Sequence, residues 1–153
     1  MIAPVRSSTR MTGYAAAAWA AVFAAFHVIW AGGWYIGLHE ETARRAFANP
    51  AFLAYDVVVA GMLVIAVVVA LALVQPWGRR VPRRPLGWLA AAGAGLLVLR
   101  SVASLVQTAY LLVVGRFSLR AMGIWEPWFY LGAILFSLTT WRFWRSAPET
   151  TGP

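Results

Sequence analysis

The 153-residue chain has no cysteine and no lysine, and only five acidic residues. Without cysteine there is no iron–sulfur centre held by thiolates, no disulfide framework and no quinone reductase working through a cysteine pair. The two histidines, His27 and His39, form no His-x-x-x-His or comparable ligand pair, so no metal site is expected. No glycine-rich nucleotide loop is present, and no cofactor is expected. Charge is scarce as well. Charged residues make up 12% of the chain, against about 25% in an ordinary soluble domain.

Hydrophobic residues supply 61% of the sequence, and mean hydropathy is +0.70. They lie in long runs rather than in alternation. Crossing a bilayer takes roughly 20 apolar residues, and four runs suffice: approximately 12–35, 51–74, 86–114 and 126–143. The reading is an all-α polytopic membrane protein, a bundle of four transmembrane helices forming a single membrane domain over residues 1–153. The first run, from Tyr14 to Ile36, exceeds the 7–15 or so apolar residues of a signal peptide, so it reads as an uncleaved helix. Proline and glycine punctuate the runs at Gly32–Gly33, Asn49–Pro50, Gln75–Pro76–Trp77–Gly78, Pro85 and Pro127.

The net charge of +8 comes entirely from arginine. The arginines sit mostly between apolar runs, where they orient the protein and meet anionic lipid head groups; no nucleic acid is expected as a partner. Eight (Arg6, Arg10, Arg79, Arg80, Arg83, Arg84, Arg142, Arg145) fall on one side and four (Arg44, Arg45, Arg116, Arg120) on the other. The richer side is expected to be cytoplasmic, placing both termini there in a cell inner (plasma) membrane. Trp34, Trp77, Trp88, Trp125, Trp128, Trp141 and Trp144 lie near run ends, as an interfacial belt would. Between Leu38 and Pro50, Glu40 precedes Arg44 and Glu41 precedes Arg45 by four residues, the order that favours a short surface helix.

Ionisable residues inside the runs need a reason, since each costs about 2.5–3.5 kcal/mol at a helix centre. His27, Asp56, Arg100 and Glu126 are the four. Arg100 is near the midpoint of the third run, with Ser104, Gln107 and Thr108 following on its helical face, a stripe expected to face other helices. Asp56 lies one to two turns inside its run, and Arg100 is its expected partner. Glu126 opens the fourth run, either as an acid favoured at a helix N-terminus or as a proton donor shielded by Trp125, Trp128 and Tyr130. His27, near the middle of the first run, is either a hydrogen-bonded packing residue or a proton-handling one. All four fall at mid-depth or in the outer half, which suggests a cavity opening outward.

The stretch His27–Val28–Ile29–Trp30–Ala31–Gly32–Gly33, the step Leu99–Arg100, and Pro127–Trp128–Phe129 with Leu131–Gly132 carry a resemblance over nearly the whole chain. The chain resembles the bacterial family of small four-span membrane proteins known as domain of unknown function 3995. The resemblance implies the four-span fold and supplies no function.

Three functions remain open. The chain is a cofactor-independent acid–base isomerase or cyclase of isoprenoid-like substrates, with Asp56, Glu126 and His27 catalytic and Trp30, Trp34, Phe52 and Tyr55 facing a carbocation. Alternatively it is a dimeric proton-coupled transporter, exchanging a proton for a cationic or amphiphilic solute. In the third reading it assembles with a membrane partner protein, and the polar cluster only fixes the helices. The expected partners are the bilayer, a lipophilic small molecule, and a second copy or a partner protein. Arg100, Gln107, Trp30, Trp34 and Tyr55 are the candidate ligand contacts.

Overall fold

The computed structural model describes residues 7–116 and 125–146. Among them five α-helices follow one another: α1 (Ser7–Ala31), α2 (Glu40–Phe47), α3 (Pro50–Ala72), α4 (Arg83–Val113) and α5 (Trp125–Arg145), with a 3-10 turn at Pro76–Arg80 and no strand. Arg6 and Arg120, two of the arginines that argue for orientation, lie outside the described residues.

Three of these helices are long and apolar enough to cross a membrane: Arg10–Ala31, Pro50–Val74 and Arg83–Val113. This is the make-up of a membrane protein. Helix α5 is not among the three. Its four tryptophans, two threonines and three charged residues dilute the apolar run.

Local signals set the ends. Helix α1 is rich in alanine, the best helix former, and stops one turn earlier than the hydrophobic run suggests. Gly33 takes φ 89°, and the N–H of Trp34 reaches back to the carbonyl of Ile29, a closure that needs a left-handed residue. Helix α3 starts where Asn49 Oδ1 accepts from the N–H of Ala51 at 3.0 Å, with Pro50 in its first turn. Helix α2 is the expected surface helix. Its Glu40–Arg44 pair, at 2.8 Å, and its Glu41–Arg45 pair are both exposed, so they contribute little to stability.

Packing is uneven. Helix α1 packs most closely on α3, α5 packs on α4 and on α1, and α3 meets α4 sparingly. A small cluster joins Val69, Ala72, Leu73 and Val74 at the end of α3 to Leu86 and Ala90 at the start of α4 and to Phe143 of α5. The larger cluster runs along α1 through Ala16, Trp19, Ala20, Phe23 and Trp30, against Leu63 and Ala70 of α3, Ala94 of α4 and Phe136 of α5. Helix α5 lies antiparallel beside α4. Arg83 donates to the carbonyl of Phe143 at one end, and Arg100 meets Glu126 at the other.

One close approach fixes the α1–α5 contact. A Cβ at Gly132 would sit 2.3 Å from the Trp19 ring. That ring cannot yield, because its Nε1 donates to the carbonyl of Trp128 at 2.9 Å and its faces meet Phe23, Trp128 and Phe136. Gly132→Ala is therefore expected to destabilise the protein by about 1–3 kcal/mol. Gly61→Ala, whose Cβ meets nothing within 4 Å, should leave stability unchanged or raise it slightly. Melting in detergent checks both.

Candidate functional site: a buried histidine–aspartate pair

The inward face of α1 carries Phe23, His27 and Trp30 at helical spacing, and α3 presents Asp56 to it. His27 Nδ1 lies 2.6 Å from Asp56 Oδ1, and both residues are buried, 8% and 3% exposed. Two lone pairs cannot meet at that distance, so a proton lies between the two atoms. The second nitrogen of the ring, Nε2, and the second carboxyl oxygen, Oδ2, are buried without a hydrogen-bond partner among the described residues. Aromatic rings flank the imidazole. Phe23 and Trp30 stand with ring centres 4.8 and 4.9 Å from it, inclined at 66° and 68°.

The Trp30 indole is held by its own bond, Nε1 donating to the carbonyl of Ile36 at 2.9 Å. Trp125 of α5 packs 4.8 Å from Trp30 and 5.0 Å from Phe26, and stacks on Phe23. Its Nε1 donates to the carbonyl of Gly37. The loop after α1 and the start of α5 are thereby tied to the wall of the same site.

Arg100 does not pair with Asp56. It meets Glu126 at 3.0 Å, donates to Ser104, and lays its guanidinium 4.4 Å from the centre of the Phe129 ring. The helix order gives the reason. Asp56 faces α1 because α3 packs chiefly on α1, and Arg100 faces α5 because α4 packs chiefly on α5. The Arg100–Glu126 pair is also half open, with side chains 42% and 20% exposed.

The expected polar stripe is rotated by about one residue. The buried face of α4 runs Leu86, Ala90, Ala94, Ser101, Ser104, with Leu97 partly buried. Gln107 is exposed, and Arg100 sits at the edge of the face. Trp34 and Tyr55 are 71% and 63% exposed. Of the candidate residues, His27, Asp56 and Trp30 come together, Arg100 and Glu126 come together, and Gln107, Trp34 and Tyr55 join neither group. His27 also stands one turn from the end of α1 rather than near its middle, because the helix closes at Ala31.

Contacts place both pairs at one level. Trp125 reaches Phe26 and Trp30, next to His27, and its neighbour Glu126 reaches Arg100. Ser101 follows Arg100 at the same level, buried, its Oγ without a partner. Ser101 was not singled out from the sequence, and Trp125 was placed only beside Glu126 or in the interfacial belt, not against His27. Spacing from Ala94 and Leu97 would have found the serine. Trp125 reads as interfacial from its position alone. Among the described residues, no third His, Cys, Asp or Glu stands with His27 and Asp56 to complete a metal site.

The model of one protein family matches residues 20–136, from within α1 to the middle of α5. The chain belongs to that family, described as Protein of unknown function (DUF3995). The match takes in all four ionisable residues of this level. No curated protein and no solved structure matches this DUF3995 chain.

The two pairs should respond differently to truncation. Asp56→Ala leaves a buried imidazole without its acceptor and should cost about 3–5 kcal/mol. Glu126→Ala removes one partner of a half-exposed pair and should cost about 1 kcal/mol or less. Comparing the two melting curves in detergent checks the difference.

Proposed function

We propose that this DUF3995 chain is a four-span membrane protein whose working centre is the His27–Asp56 dyad, an acid–base site that exchanges a proton with a lipophilic ligand. The observation that carries the reading is the 2.6 Å pair with both outer atoms, Nε2 and Oδ2, buried and unpaired. A carboxylate on Nδ1 fixes the ring and its tautomer and leaves Nε2 free to take or give a proton, the arrangement general bases use. Glu126, the other candidate acid, is already engaged by Arg100.

A purely structural lock between α1 and α3 is the second reading, favoured by the close packing of those two helices. It accounts for Nδ1 and Oδ1 and leaves the other two atoms unexplained. A half-satisfied buried polar pair is a poor lock, because each orphan atom carries its desolvation penalty.

The fourth span rests on length and alignment. Helix α5 has 21 residues, about 31 Å at 1.5 Å per residue, enough for a hydrocarbon layer of about 30 Å. Its ends meet α4 at Arg83 and Arg100, so it crosses the same depth. With the arginine-rich ends cytoplasmic, the dyad belongs to the outer half of the bundle.

Two experiments test the proposal. The chain has no cysteine, so single introduced cysteines report topology directly. Thr42→Cys should react with an impermeant thiol reagent from outside, while Val81→Cys and Ser146→Cys should not. Labelling of both Thr42→Cys and Ser146→Cys from outside would remove the fourth span. For the dyad, histidine labelled with 15N in a His39→Gln background reports His27 alone. Following its 15N signals through a pH titration decides between the readings: an Nε2 that changes state while Nδ1 stays hydrogen-bonded supports the acid–base site, and an Nε2 that keeps one state throughout leaves the structural lock as the better account.

A further inference from the structure

We infer that the open seam between α3 and α4 holds an anionic phospholipid, an acyl chain along the seam and its phosphate on the arginine turn that joins the two helices. The inference is independent of the dyad, whose histidine and aspartate meet on the α1 side of α3.

The long helices stand in the order α3, α1, α5, α4, each packed on the next, so α3 and α4 are the pair that leaves the circuit unclosed. Their buried contact gathers beside their connection, at Val69, Ala72, Leu73, Leu86 and Ala90. Farther out the same faces are bare. On α3, the face that carries Val69 and Ala72 continues at helical spacing as Ile65, Met62 and Val58, which are 55%, 49% and 60% exposed. On α4, Gly93 lies two turns beyond Leu86 on the same face, and nothing stands within 4 Å of where a Cβ would be. These faces are apolar, so hydrocarbon suits the space and water does not. From Ala72 to Val58 the seam runs about 21 Å at 1.5 Å per residue. One leaflet of a hydrocarbon layer about 30 Å thick is about 15 Å deep, so an acyl chain can lie along it.

At the closed end the charge is one-sided. Arg79 and Arg80 of the 3-10 turn and Arg83 and Arg84 of the first turn of α4 crowd the connection. A Cβ at Gly78 would collide with the backbone carbonyl of Ala72, so the turn is fixed against the foot of the seam. Arg83 is engaged, donating to the carbonyl of Phe143 and lying 4.3 Å from the centre of that ring. Arg79, Arg80 and Arg84 are exposed and form no ion pair among the described residues. The carboxylates of the described residues, Glu40, Glu41, Asp56 and Glu126, all belong to the other end of the helices. Like charges held together repel, and an anion between them relieves the repulsion. Guanidinium forks match phosphate oxygens in particular.

Seam and charge together select the occupant. A second copy of the chain in the same orientation would set these arginines against its own. A nucleic acid or an acidic protein would meet the arginines and leave the seam bare. A zwitterionic lipid would fill the seam and bring no net charge. An anionic phospholipid supplies both parts, with its phosphate at the level where the chain ends.

Native mass spectrometry of the full chain released from neutral detergent tests the assignment with three probes: phosphatidylglycerol, phosphatidylcholine with the same acyl chains, and glycerol phosphate. One phosphatidylglycerol per chain should be retained, at least about tenfold more tightly than either of the others. Arg79→Gln with Arg80→Gln should weaken it about tenfold and leave phosphatidylcholine unchanged. Ile65→Trp, which fills the seam and leaves the arginines in place, should weaken it several-fold; if that variant does not fold, Met62→Phe serves instead. Equal retention of phosphatidylcholine would overturn the inference, and equal retention of glycerol phosphate would make the turn a site for free anions. Binding that responds to the arginines but to neither seam variant would reduce it to headgroup attraction at the surface, and a lipid-free dimer would give the seam to a second copy; both results overturn it.

Discussion

Polar groups inside a bilayer have no water to turn to, so each must find its partner within the protein or carry the penalty of lacking one. In this chain that constraint falls hardest on one contact, the 2.6 Å approach of His27 to Asp56. It joins α1 to α3 near the end where both helices change direction, and the aromatic residues around it link the same point to α5. Trp125 reaches across to Phe23, Phe26 and Trp30, and its indole N–H ties the loop at Gly37. Removing the dyad would leave the cluster of Val69, Ala72, Leu86 and Phe143 at the opposite ends untouched and unsettle the end where the polar residues lie.

The second charged pair obeys the same constraint more loosely. Arg100 shares itself among Glu126, Ser104 and the face of Phe129, and stays partly open. A guanidinium tolerates this because its planar fork can serve several acceptors and still stack on a ring. The two pairs thus divide the work. One is buried and half satisfied, which suits chemistry; the other is peripheral and well satisfied, which suits joining α4 to α5.

Among the described residues, the three long apolar helices α1, α3 and α4 were legible in the sequence, because long apolar runs bounded by proline and glycine leave few alternatives; α5 was expected as a fourth span, and its composition falls short of the other three. The surface helix α2 was legible from its two acid-before-base pairs. Pairing was not. Asp56 and Arg100 looked like partners because opposite charges at similar depth attract, but depth does not say which helices are neighbours. The face of α4 was misread for a related reason. The inward stripe was expected to run from Arg100 through Ser104, Gln107 and Thr108; Ser104 is indeed buried, but Ala90, Ala94 and Ser101 share its face and Gln107 does not. Long arginine side chains can sit at the edge of a face and still reach a partner. Trp125 was hidden by its position, since a tryptophan at a helix end reads the same whether it faces lipid or a site.

Helix α4 has 31 residues, about 46 Å at 1.5 Å per residue, and α5 beside it has 21. In a hydrocarbon layer about 30 Å thick, α4 must lean or lift its far turns clear. It is anchored at one end by Leu86 and Ala90 against α3 and Phe143, so any lean pivots there. The swing grows along the helix toward Val113 and is already felt at Ser101, about halfway along. Bilayer thickness then acts as an adjustment of the molecule: a thinner membrane tilts the strut further and widens the side between α3 and α4, and a thicker one draws it upright.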